Sequence, residues 1–332
     1  MIKQDANGKW TSSNVPKDFN PIYAQALVDF FNALDPLFAK AQEKSDFEFI
    51  CTLLNIQGMH DVGWDVFETT QDIFKTINNL KSKIKYNDEQ LHLFLVLYGL
   101  ILEAAYPYDL LNNLLRIISG GRYSAFCYPD VKMGKRGKTR PMFASEKLNK
   151  IKDLAKKQAL ETNVQPLMNI FDKELRNAIF HSDYCLYDDE LRIPRSSKVY
   201  KVANVMEILN KTVAYFEVII RLVKMYKALY EKSEIIKTHP DFNADPEEKI
   251  VVMVRKGTGA IGIKSNWTQE EIARGKIPFS MSHLLPYEQK MLQKDPTLAE
   301  FPENKVEKWN KFLHLLPVSI RKYLLPIIER LL

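Results

Sequence analysis

Arg176, Asn177 and His181 bring a cation, an amide and an imidazole within six residues of one another. Asn177 and His181 are four apart, so on a helix they stack on one face, with Arg176 one step round. An imidazole can take the proton from a ribose 2′-hydroxyl or give one to a leaving 5′-oxygen. A guanidinium has the charge and shape to stabilise a phosphorane-like transition state. Together they suit metal-free cleavage of RNA. Asn177 could orient the phosphate or the imidazole; Glu174, earlier on the same helix, could bias the histidine tautomer or pair with Lys173 or Lys201. A second account stays open, because an Arg and a His near a helix C-terminus also complement its dipole and cap its carbonyls.

These side chains need a helix to hold them. Counting 100° per residue from Leu175, the residues Met168, Phe171, Ala178, Ile179 and Ser182 fall within about 60° of it, which predicts one amphipathic helix at 169–184 with that face buried. The opposite face carries Lys173, Glu174, Asn177, Phe180 and His181, and leaves Phe180 exposed beside the motif. Residues 184–193 follow as a short hairpin-like unit.

The spacing Arg176-Asn177-x-x-x-His181 resembles the R-x(4–6)-H motif of the HEPN superfamily, including the polar residue those proteins usually place after the arginine. With the hairpin that follows, the chain resembles larger prokaryotic HEPN proteins over residues 21–236. The resemblance implies a mainly α fold, a HEPN-like helical bundle with a short hairpin after the motif helix. It also implies a metal-independent endoribonuclease whose composite site lies at a homodimer cleft, where two copies each supply an Arg and a His. Arg176, His181 and Asn177 are then the catalytic set, with Glu174, Asp183 and Tyr184 in support, and exposed Phe180 is interface surface. A toxin or antiviral effector, with an antitoxin or regulatory protein as partner, is the biological setting implied. The alternative is a non-catalytic HEPN-like module that binds a nucleotide, nucleic acid or a partner protein. One departure matters: HEPN toxins controlled by a nucleotidyltransferase carry a tyrosine two residues after the motif histidine, whereas Tyr184 is three residues after His181, which speaks against control by tyrosine AMPylation.

Composition sets the outer bounds. With 332 residues and 46% hydrophobic content the chain can bury a substantial core. A formal charge of +6 is compatible with a nucleic-acid partner without requiring one. Cys51, Cys127 and Cys185 share no C-x-x-C spacing; their odd number and a polar N-terminus without an apolar leader point to a reducing cytoplasm. No cofactor or metal is expected: His60 and Asp61 have no third ligand at metal spacing and read as a turn. The longest apolar run, 93–102, is bracketed by His92 and Glu103 and reads as a buried helix, not a membrane span. His92 itself reads as a satisfied, partly exposed histidine.

Along the chain, 1–20 is expected to be a loosely attached polar arm, 21–236 the helical domain, 237–249 a linker and 250–332 a small α+β addition. A first helix from residue 21 should be interrupted near Pro36, and Ser45-x-x-Glu48 has the form of a capping box opening a second. Gly58 and Gly63 should break that one, a helical pattern resumes at 67–84, and residues 87–90 cap the most apolar helix, with Pro107 forcing a boundary. Lys132, Lys135, Arg136, Lys138 and Arg140 put five cations into nine residues with two glycines, which predicts a flexible basic loop contacting RNA phosphates or simply solvated. It is not a P-loop: the first Gly of G-x-x-x-x-G-K-T falls on Lys132, and no apolar strand precedes it. Ser145 should cap the next helix, 203–230 reads as a long helix, and 250–255 with 261–263 as a strand hairpin. Thr268-x-x-Glu271 and the proline-interrupted remainder read as short helices.

Overall fold

The computed structural model describes residues 2–13, 20–56, 66–81, 87–133, 138–238 and 249–265. The fold is mainly helical with small antiparallel sheets. Two long helices form its spine: α1 (Pro21–Lys44) and α9 (Val202–Ala228). Each carries large apolar residues at spacings of three and four, so their faces close on one another; Phe30 meets Tyr215 at 5.3 Å between ring centroids and Phe38 meets Tyr226 at 5.1 Å. Contrary to expectation, α1 runs unbroken through Pro36. Leu34, Leu37 and Phe38 are wholly buried around that residue, and this packing outweighs the backbone bond that proline cannot make.

Against the spine lie α2 (Asp46–Leu54), α3 (Val66–Lys81), α4 (Asn87–Glu103), α5 (Ala105–Ile118), α6 (Ala144–Lys156), α7 (Glu161–Ile170) and α8 (Lys173–Phe180). Half of the capping box before α2 forms. Ser45 Oγ accepts from Glu48 N–H, but the Glu48 carboxylate turns away and accepts from Tyr123 N–H at 2.7 Å. The break after α4 falls at Ala104, three residues before Pro107, which sits in the first turn of α5 where its missing N–H costs nothing. Glu89–Ile118 is long and apolar enough by composition to cross a membrane, and 61% of its most apolar window is buried inside the protein. Ser145 does not cap α6. Phe143 holds that position, and the Glu146 carboxylate reaches back to accept from its N–H at 2.8 Å.

The described part of the N-terminal arm, residues 2–13, is not loose. β1 (Ile2–Gln4) and β2 (Trp10–Ser12) pair as a hairpin seated on α1, where Trp10 stacks on Phe31 at 4.4 Å. Asp35, nearly buried, accepts from Trp10 Nε1 at 2.8 Å, from Gln4 Nε2 at 2.9 Å and from the Tyr226 hydroxyl at 2.8 Å, and so ties the hairpin to both spine helices. At the far end, β8 (Glu234–Lys237), β9 (Lys249–Arg255) and β10 (Gly259–Ser265) form one antiparallel sheet in the order β10-β9-β8. The expected 250–263 hairpin is thus present, joined to β8 across the segment expected to be a linker. Gly259 has φ +82°, and a Cβ there would fall 1.9 Å from the Lys227 carbonyl, so only glycine lets the sheet close on the end of α9. The helices expected after residue 266, and the turn at Gly58, His60, Asp61 and Gly63, lie outside the described residues.

Candidate functional site

The motif helix is two helices, not one. Phe171 and Asp172 are extended between α7 and α8, and Asp172 starts the second by accepting from Glu174 N–H at 2.9 Å and Leu175 N–H at 3.0 Å. The Tyr98 hydroxyl of α4 seals the break. It accepts from Asp172 N–H at 3.0 Å and donates to the Ile170 carbonyl at 3.1 Å, so backbone groups freed by the kink are bonded. Tyr200 then donates to the second Asp172 oxygen at 2.9 Å; burial, followed by that carboxylate, pushes the Tyr200 hydroxyl well above its ordinary pKa. Leu175 is completely buried and Ala178 nearly so, which fixes the rotation of α8.

The helix ends in a Schellman turn. Ser182 N–H bonds the Ile179 carbonyl and Asp183 N–H the Ala178 carbonyl at 2.8 Å, with Ser182 at φ +50°. His181 is the cap residue, and its ring is exposed and makes no hydrogen bond or ion pair among the described residues. Beyond the turn the expected hairpin forms from β5 (Cys185–Tyr187) and β6 (Glu190–Ile193). An unforeseen third strand, β7 (Lys198–Lys201), completes a sheet whose Leu191 and Ile193 enter the core.

Along its length α8 lies antiparallel on α4, and three contacts give the register. Arg176 pairs with Glu103, the Phe180 ring covers Gly99, and the Tyr184 hydroxyl shares a hydrogen bond of 2.8 Å with His92 Nδ1. Gly99 makes the middle contact possible, since a Cβ there would sit 3.0 Å from two ring carbons of Phe180. Arg176 is therefore engaged: Nη2 meets Glu103, Nη1 donates to Asn177 Oδ1 at 2.7 Å, Nε is buried without a partner among the described residues, and the guanidinium lies 5.2 Å over the Phe180 ring. Phe180 nonetheless keeps 47% of its surface exposed, and Val96 of α4 keeps 48%.

The supporting residues separate. Glu174 pairs with Lys198 at 3.1 Å, and among the described residues it makes no ion pair with Lys173 or Lys201 and no hydrogen bond with His181. Lys201 bonds Asp189 and Glu190. Asp183 holds Arg195 at 3.0 Å, and burial raises the Tyr184 hydroxyl pKa. The residues missed in the sequence are Glu103, Gly99 and Tyr98, all on α4. A glycine inside an apolar helix was the available signal of close approach.

The two flanks of the basic segment pair as strands, β3 (Val131–Met133) with β4 (Lys138–Arg140). Lys132 and Lys138 are exposed on these strands; Lys135 and Arg136 lie outside the described residues. Arg140 is committed to a two-pronged bond with Glu146, both contacts 2.7 Å, and stacks 3.9 Å over Phe143. Arg140 and then the Phe143 N–H hold the Glu146 carboxyl down to about 2. No cluster of three metal-ligating side chains occurs among the described residues. The chain matches no family model, no curated protein and no solved structure, so its site is defined by the geometry of the α4–α8 face alone.

Proposed function

We propose that the protein is a metal-independent endoribonuclease of the HEPN kind, acting in the cytoplasm as a toxin or antiviral effector. The observation that carries this reading is the free, exposed imidazole of His181 at the end of α8, little more than one turn beyond Arg176 and four residues after Asn177. His181 exchanges a proton with the substrate. Arg176 faces developing phosphate charge by sharing its guanidinium between Glu103 and the incoming oxygens. Two copies pair about a two-fold axis through the exposed Phe180 and Val96, bringing both motifs to one cleft, and Lys132 and Lys138 hold the RNA backbone outside it.

Cleavage of total RNA in EDTA by the wild type, set against His181→Ala, tests the reading. Products ending in 2′,3′-cyclic phosphate or 3′-phosphate support it, with DNA untouched. Strict Mg²⁺ dependence with 5′-phosphate ends overturns it, since both require a metal-activated water. The Glu103 pairing favours a second reading, a non-catalytic module binding a nucleotide, nucleic acid or a partner protein, because a neutralised arginine suits a structural seam. An inactive wild type that binds RNA would establish that reading instead.

A further inference from the structure

Arg140, Arg176, Arg192, Arg195 and Arg221 are each answered by a carboxylate. Helix α6 differs. Lys147, Lys150, Lys152 and Lys156, with Lys157 at its end, make no ion pair among the described residues. The acids of α6 are Asp153 and Glu146, and Arg140 already holds Glu146. Two of the lysines converge: the ammonium groups of Lys147 and Lys150 lie 5.3 and 6.0 Å from the centroid of the Tyr128 ring, and Lys147 is also 5.8 Å from that of Tyr108. Like charges three residues apart on a helix repel, and the negative face of a ring offsets only part of that. Lys147 also ends the first turn of α6, where the helix dipole disfavours a cation. Nearby, burial raises the Asp109 carboxyl pKa and Lys147 pulls it down, without an ion pair between them. A concentrated positive patch is left that no carboxylate among the described residues is bonded to.

The patch adjoins the motif through Tyr108. Its hydroxyl donates to the Leu102 carbonyl at 2.7 Å, beside Glu103; burial and then the Glu103 carboxylate hold that hydroxyl well above its ordinary pKa, while Arg176 pulls it down. One tyrosine thus reaches from the Arg176–Glu103 pair at its hydroxyl to Lys147 over its ring. Counting 100° per residue, Lys150 and Lys157 stand about 60° and 80° round α6 from Lys147, both to the same side. Lys157 lies about 15 Å further along the axis. Lys152 and Lys156 stand about 140° and 180° round, on the other flank. We propose that Lys147, Lys150 and Lys157 form a track for the phosphates of an RNA strand leading away from the Arg176 face, so that α6 holds the part of the substrate that flanks the reacting bond. The identity of the polyanion rests on the ribonuclease reading. Lysine suits the task, since its ammonium is a point charge that takes phosphate whatever the base sequence. Docking on lipid would call for an exposed apolar face beneath the cations, and α6 exposes no large apolar side chain.

Binding of 2′-O-methyl RNA, which 2′-hydroxyl chemistry cannot cleave, tests the track without depending on turnover. Fluorescence anisotropy across a salt series compares a short oligonucleotide with one extended by a flank. The proteins are the wild type, Lys147→Gln/Lys150→Gln and the charge-matched Lys152→Gln/Lys156→Gln. Loss of two contacts to a single strand should flatten the slope of log affinity against log salt by about 1.4 and weaken the long RNA about ten-fold or more, with little change for the short one. The pair on the other flank should change the slope less than half as much. Lys147→Arg/Lys150→Arg, which keeps the charge, should keep the wild-type slope. Equal losses from the two glutamine pairs would assign the effect to net charge and overturn the track, and so would an arginine variant as weak as the glutamine one. If Lys147→Gln/Lys150→Gln keeps its RNA affinity but no longer binds phosphatidylserine vesicles, the patch is a membrane contact and the proposal falls. A wild type that cleaves RNA while this variant binds it unchanged overturns the track and leaves the ribonuclease reading intact. A wild type that binds through these lysines and never cleaves upholds the track and sinks only the cleavage reading.

Discussion

Two corners of the molecule are built from the same parts. At the end of the β3–β4 hairpin, Arg140 grips Glu146 and stacks on Phe143, which is 53% exposed; on the α4–α8 face, Arg176 grips Glu103 and lies over Phe180, which is 47% exposed. Both arginines stand in stretches that the sequence offers as candidate RNA contacts. The difference is what lies alongside. Arg140 serves the start of α6 through the carboxylate it holds, since Glu146 also bonds Phe143 N–H, and among the described residues no histidine joins that network. Beside Arg176 the seam continues to the exposed imidazole of His92, and α8 itself ends at the exposed imidazole of His181. A paired, stacked arginine is by itself an architectural device; groups able to move protons next to it are what separate a site from a corner.

The sharpest way to break that comparison is to remove one proton carrier and one arginine in parallel. His181→Ala should lower the turnover of RNA by about 10²–10⁴-fold, with binding largely kept because an acid or base acts mainly in the transition state. Arg140→Ala should leave turnover within about two-fold, as phosphate contacts set affinity more than rate. Equal losses in both, measured as single-turnover rates on one oligonucleotide, would erase the distinction.

The next effect is on stability. The Arg176 and Glu103 side chains are 22% and 35% exposed, and Glu103→Ala would leave a guanidinium with one neutral partner in a partly dry seam. A loss of about 1–3 kcal/mol is expected, seen as a lower midpoint in urea with an unchanged slope. Glu146→Ala breaks a pair of nearly the same exposure, 24% and 36%, and should cost less, because of the two arginines only Arg176 already buries a nitrogen without a partner among the described residues. The order of the two midpoints is the test.

Much of this arrangement could be read in the sequence, and the failures share a cause. Helix α9, the β9–β10 hairpin and the hairpin after the motif follow from local period and turn residues. A period count makes the motif helix too long, because Met168 and Phe171 fit the same apolar face as Leu175 and the count runs straight across the kink. What decides the kink is partly local, the capping Asp172, and partly remote, the Tyr98 hydroxyl 74 residues away. His92 and Glu103 were legible only as polar ends of an apolar run. Both prove to be residues by which α4 meets the segment of α8 and its closing turn, a pairing no single-helix pattern can reveal. Trp10 likewise looked like part of a polar arm until Asp35 and Phe31 gave it a seat.

A third prediction sharpens the electrostatic side of the hairpin corner. Near it, burial pushes the Asp109 carboxyl up to about 6, with Lys147 pulling the other way. An acid whose folded pKa exceeds its unfolded value binds more protons folded than unfolded, so its contribution to stability falls as pH rises from about 4 through 6. Asp109→Asn, of the same shape and unable to ionise, should therefore raise the melting temperature at pH 8, by the equivalent of about 1–2 kcal/mol for a group that water still partly reaches. At pH 4 it should change little. A gain of equal size at both pH values would assign the effect to packing instead of charge.

The smallest effect concerns the free cations of the hairpin. Lys132 and Lys138 are exposed, and neither is held in an ion pair among the described residues, unlike Arg140. If they touch RNA phosphates, each contact to a single strand adds about 0.7 to the slope of log affinity against log salt concentration. Replacing both by Ala should flatten that slope by roughly 1.4, and weaken binding similarly for every RNA sequence while leaving the single-turnover rate at saturation alone. Arg140→Ala should alter the slope less than either lysine change, because its charge is already answered by Glu146 and releases few counterions on binding. A slope that responds to Arg140 as strongly as to the lysines would mean that the Glu146 pair opens to take phosphate. The Arg176–Glu103 pair on the other face would then have a precedent for doing the same.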